Sequence, residues 1–208
     1  MKKNFYYSVL LSVALLSCST QDDVNNTIYE QNQHSESKWQ WILRLSEQKQ
    51  NNAANYQRKS IEHIIQEAEY LAFQDPMFLN LVDENYSTPT ESEILSIIED
   101  SDLVLQNTSL SKASKDYVSL ILQLQDMQLL DALTLEIEQH IQISSKEKAI
   151  LHDVIYLHTF NKGIGNGDGK LEPDDDDWDK KKIIGYIKGY ETSEANAVLN
   201  FIIINYNL

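Results

Sequence analysis

All six glycines of this 208-residue chain fall between positions 163 and 189, and four of them alternate at Gly163, Gly165, Gly167 and Gly169. Oxygen-bearing side chains are interleaved with them. The run reads Gly163-Ile164-Gly165-Asn166-Gly167-Asp168-Gly169-Lys170-Leu171-Glu172-Pro173-Asp174-Asp175-Asp176-Asp177. Glycine lets the backbone turn tightly, and carboxylate and amide oxygens are the hard ligands that calcium prefers. The chemistry on offer here is therefore cation binding. A second residue stands out by position. Cys18 is the only cysteine, and it closes a largely apolar run that begins at Phe5, after the basic pair Lys2 and Lys3.

Over about 12 residues the glycine–aspartate run resembles an EF-hand loop. That resemblance implies ligation by Asn166, Asp168, the Lys170 carbonyl, Glu172 and Asp175, with Gly169 at the sharp turn and Leu171 as the apolar residue. Two positions depart from the pattern. Ile164 stands where an aspartate is expected, and Asp175 replaces the longer glutamate. A lone site of this kind implies weak Ca2+ binding. The same residues also suit a surface connector, with Asp174 to Asp177 at the positive end of a following helix and Lys180-Lys181-Lys182 as their i+4 partners.

The segment Leu15-Leu16-Ser17-Cys18 resembles a bacterial lipobox behind a signal peptide. The resemblance implies cleavage before Cys18 and attachment of acyl chains, palmitate among them, to that cysteine. The apolar run is about 14 residues, short of the ~20 that span a bilayer as a helix. Ser19 after the cysteine implies sorting to the outer membrane. The acidic pair Asp22-Asp23 resembles the surface-export signal of Bacteroidota lipoproteins. The expected organisation is a signal peptide over 1–17, an acylated cysteine with a polar tether over 18–36, and a domain over 37–208 that contains the Gly/Asp-rich loop at 161–179. The partner implied by Cys18 is the membrane itself, and a further protein or envelope partner is expected.

Charge narrows the remaining classes. The chain carries a formal charge of −15, and without Lys2 and Lys3 it holds 15 basic and 32 acidic residues, or −17. Such a surface repels nucleic acid and anionic headgroups. A single cysteine cannot form an intramolecular disulfide, so the fold rests on its core. The five histidines show no His-Glu-x-x-His spacing, and His152 and His158 lie six apart. Acid pairs such as Glu91/Glu93 and Asp131/Glu136 read as solvated carboxylates rather than as acid/base pairs. The function expected is a lipid-anchored binding or structural protein of the envelope. A toxin- or immunity-type lipoprotein is the alternative, and an enzyme comes third.

The elements that would position these residues are helical almost throughout. The fold expected is all-α, an irregular bundle of about six to eight helices. Trp39, Ile42 and Leu43 share one face of a helix over about 36–52, where a core role is expected for Trp39 and Trp41. Ile61, Ile64, Ile65, Ala68, Leu71 and Ala72 recur at helical spacing within about 56–74. Met77-Phe78-Leu79 reads as an apolar turn in a loop. Thr90 with Glu93, and Ser144 with Glu147, form capping boxes that open helices, the first running to about Gln106. One long helix is expected over about 111–143. It carries two apolar stripes: Leu120, Leu124, Met127, Leu130, Ile137 and Ile141, then Val118, Leu122, Leu129 and Leu133. Two stripes imply packing on more than one side. Helices over about 174–190 and 193–206 close the chain. Phe201 to Ile204 is β-branched enough for a strand, but it lacks a partner strand and reads as a buried helix.

Overall fold

The computed structural model describes residues 60–161 and 175–205, and within them the side chains of Asn161, Asp175 and Asp176 stand outside the description. The expected tether, the helix over 36–52 with its tryptophans, and most of the glycine–aspartate loop lie outside the described residues. Among the described residues there are nine helices and no strand, so the all-α expectation holds. They are α1 (Ile61–Ala72), α2 (Pro76–Leu81), α3 (Glu91–Glu99), α4 (Ser101–Asn107), α5 (Lys112–Ile121), α6 (Met127–Gln139), α7 (Ser145–Asn161), α8 (Asp175–Tyr190) and α9 (Glu194–Asn205).

The last helix organises the others. Every residue of α9 from Ala195 to Ile204 is buried, as expected of a helix that is apolar all round. It lies against α1, α2, α3 and, most extensively, α8. In turn α8 packs on α3, α4 and α7, while α7 carries α5 and α6. The α8–α9 approach is close because Gly185 and Gly189, one turn apart, face α9. Asn196 and Asn200 are buried with the apolar residues. Asn196 ties α9 to the loop before α3, donating from Nδ2 to the Ser87 carbonyl at 2.5 Å and accepting from the Ser87 N–H at 3.3 Å. Asn200 Nδ2 donates to the Gly185 carbonyl at 3.2 Å.

Three expectations about helix boundaries are corrected, each for a local reason. The helix opened by Thr90 does have its capping box, but it stops at Glu99. Asp100 leaves helical geometry and its carboxylate accepts from the Leu103 N–H at 3.0 Å, starting α4. Short polar side chains compete with the helix for backbone groups in this way. The long helix expected over 111–143 is two helices. The chain leaves α5 at Leu122, and Asp126 caps α6 by accepting from the Gln128 N–H at 2.8 Å. The Met77-Phe78-Leu79 turn is a short helix, capped by Asp75 with Pro76 in its first turn. Its Phe78 is fully buried, with edge-on ring contacts to Phe73 at 5.3 Å and Tyr86 at 6.0 Å.

Candidate functional site

A cleft of about 380 Å³ opens where the start of α8 meets α4, the end of α5 and α7. Asp102, Asp177, Asp179, Lys180, Gln123 and His158 are among the residues that line it. Its location follows from connectivity. Residues 162–174 join the end of α7, which carries His158, to the start of α8, which carries Asp177 and Asp179. Asp175 begins α8. Asn166, Asp168, Lys170 and Glu172 lie outside the described residues, as does the side chain of Asp175.

The carboxylates of the cleft are each matched to an ammonium group. Lys180 Nζ lies 2.6 Å from Asp102, Lys181 lies 2.5 Å from Asp177 at i,i+4, and Lys182 lies 3.1 Å from the buried Asp179. Of the three lysines, Lys181 makes the expected i+4 pair with the acidic helix start, whereas Lys182 pairs with Asp179 at i,i+3 and Lys180 reaches across to α4. Lys181 also sits over the Trp178 ring, 5.1 Å from its centroid. His158 is buried, and its Nε2 lies 2.6 Å from the Leu124 carbonyl, to which it donates. Among the described residues no three His, Cys, Asp or Glu side chains converge to hold a metal ion.

No family model, curated protein or solved structure matches this chain.

A second cleft, also about 380 Å³, is lined by Ser109, Ser111, Ser144, Lys146, Glu147 and Tyr190, among others. Here two helix N-termini converge on one carboxylate. Glu147 completes the capping box of α7, accepting from the Ser144 N–H at 3.1 Å and its hydroxyl at 3.0 Å, while the Glu147 N–H donates to Ser144 Oγ at 3.2 Å. Its other oxygen accepts from the N–H of Ser111, the cap of α5, at 2.6 Å. Burial raises the Glu147 pKa, but the donations from Ser111 and Ser144 outweigh it and hold the carboxyl at about 2. The capping box was legible in the sequence. The Ser111 contact, 36 positions away, was not.

Other polar pairs tie helices together. Tyr186 is fully buried on α8 and donates to Asp153 on α7. Burial first, and then the Asp153 charge, push this phenol well above its usual value, so it remains a donor. Tyr117 donates to Glu136 at 2.7 Å, and burial together with that carboxylate pushes it up to about 12. His152 contacts Glu138, joining α7 to α6. Of the acid pairs singled out above, Glu93 serves the α3 cap and Glu136 serves Tyr117. Both act as hydrogen-bond acceptors. His63, on α1, is exposed.

Proposed function

We propose that this protein is a lipid-anchored, extracytoplasmic helical protein with a binding or structural role at the bacterial envelope. The position of Cys18 carries the reading. A basic pair, an apolar run too short to span a bilayer and a small residue before a lone cysteine together match the requirements of lipoprotein processing. Several acyl chains give an anchor that one chain cannot, since each buried CH₂ contributes only about 0.8 kcal/mol. Ser19 and the Asp22-Asp23 pair support an outer-membrane and surface address. Among the described residues, no helix is long and apolar enough to cross a membrane. In the bacterium of origin, Cys18→Ala is expected to move the protein from the membrane to the soluble fraction. A wild-type chain that is already soluble and unlipidated overturns the reading. Protease shaving of intact cells checks the surface address separately.

The same reading includes a weak calcium site formed by Asn166, Asp168, the Lys170 carbonyl, Glu172 and Asp175. Its support is the register of oxygen residues around Gly169, together with the placement of this segment between α7 and α8. With Ile164 at the first position, Kd is expected at about 10⁻⁴ to 10⁻³ M. Calcium at ten times Kd then stabilises the fold by about 1.4 kcal/mol. Millimolar calcium should raise the melting temperature, and Asp168→Ala should remove the rise. An equal rise in the variant means that calcium only screens the negative surface.

A further inference from the structure

The second cleft already holds a positive charge. Lys146 Nζ sits over the Tyr190 ring, 5.4 Å from its centroid, and both residues line the cleft of about 380 Å³. The electron-rich face of an aromatic ring attracts a cation in this position. Two carboxylates, Glu147 and Glu191, line the same space. One short loop fixes both: the Ser111 N–H donates to Glu147 at 2.6 Å, and the Ser109 N–H donates to Glu191. Lys188 also donates to Glu191, at 2.6 Å. Both carboxyls are held below the ordinary carboxyl value, so both are charged near neutral pH. Buried Leu110, Ile150 and Ile187 supply an apolar wall.

Lys146 is a removable occupant, because it is exposed and its stem is flexible. With its ammonium swung out, two carboxylates and the Lys188 ammonium remain, an excess of negative charge that one organic cation neutralises. An anion would be repelled. A primary ammonium brings three N–H donors that need acceptors. The carboxylate oxygens here already accept from Ser109, Ser111, Ser144 and Lys188. A quaternary ammonium has no N–H to place, and it needs only a ring face and a negative field. The protein's charge of −15 draws such cations toward it. We propose that this cleft binds a small quaternary-ammonium group of the choline type. Its methyls take the place of the Lys146 ammonium over Tyr190, and Glu147 and Glu191 supply the opposing charge. This goes beyond the anchored role above and does not depend on acylation at Cys18.

The test titrates the purified protein with choline chloride and follows the Tyr190 ring and the Ser109 and Ser144 amide resonances. The uncharged carbon analogue of choline, with tert-butyl in place of trimethylammonium, controls for apolar binding. Sodium chloride controls for screening. Choline should shift these resonances saturably at millimolar concentration, and neither control should. Lys146→Gln removes the competing ammonium and should tighten choline binding about two- to fivefold, the range set by an exposed cation–ring contact. Tyr190→Leu, read on the amides, should weaken it about fivefold or more. Lys146 is exposed, so Lys146→Gln should keep the fold and decides the matter even where Tyr190→Leu loosens the end of α8. Unchanged or weaker binding in Lys146→Gln overturns the proposal, since Lys146 then holds no place the ligand needs. Equal binding of the carbon analogue overturns it in favour of a plain apolar recess, and equal shifts with sodium chloride in favour of diffuse screening. A response to choline but not to phosphatidylcholine vesicles assigns a free compound, and the reverse assigns a lipid headgroup. No response to either, with choline at tens of millimolar, overturns the proposal.

Discussion

Gly189→Ala is expected to destabilise the protein by about 3 kcal/mol or more, a large share of the roughly 5–15 kcal/mol that holds a domain folded. A Cβ on Gly189 would lie 2.6 Å from the Ala197 Cα and closer still to the Asn196 carbonyl. Both are backbone atoms of α9, so no side-chain rotation relieves the overlap, and the two helices must separate. The Gly189 carbonyl also accepts from the Thr192 N–H at 2.9 Å and the Ser193 N–H at 3.1 Å. Displacing it therefore disturbs the turn that starts α9. Gly185→Ala is the control. Its new methyl would meet chiefly the tip of the Ile204 side chain, which can change rotamer, and alanine improves helix propensity by up to about 1 kcal/mol. The net change at 185 should stay within about 1 kcal/mol. Urea unfolding of both variants decides the matter. Equal losses would mean that the α8–α9 contact is looser than described.

Glu147→Gln should cost about 2 kcal/mol near neutral pH, because hydrogen bonds to a charged acceptor are worth more than those to an amide and this acceptor serves two helix starts. The pH dependence follows from its depressed value. The folded carboxyl titrates at about 2 against an ordinary 4.5. The stability this charge contributes is therefore complete above about pH 5 and is lost as pH falls through about 2. The wild-type advantage over Glu147→Gln should be constant from pH 5 to 7 and shrink steadily below pH 4. Urea midpoints measured across that range test it, and a gap that does not close in acid would place the effect in packing rather than charge. Glu191 acts in the same sense on a smaller scale. Burial raises its pKa, and donation from Lys188 and Ser109 more than offsets that.

Helix class, and the helix starts marked by capping boxes, were legible because they are encoded within a few residues. The Thr90–Glu93 and Ser144–Glu147 boxes join positions three apart, and the 3.6-residue rhythm of Ile61 to Ala72 marks one buried face. Phe201 to Ile204, the ambiguous run, is helical because α9 is enclosed by α1, α2, α3 and α8, and that burial overrides β propensity. Helix ends were less legible. Asp100 and Asp126 can sit in a helix or cap one. Apolar spacing continues past both, so the periodic pattern alone runs the helices together.

What the sequence by itself determined is local: an all-α chain, its caps, a buried C-terminal helix, an acidic surface and a candidate loop whose register can be written down. The tertiary structure decided which of those groups meet. It brought Ser111 to Glu147, Asp153 to Tyr186 and Lys180 to Asp102, and it left Leu129 and Leu135 facing outward. The physical reason is range. Caps and amphipathic faces arise from contacts three or four residues apart along one helix. A partner 33 to 78 positions away is chosen by how whole helices pack, and no spacing within either helix records it.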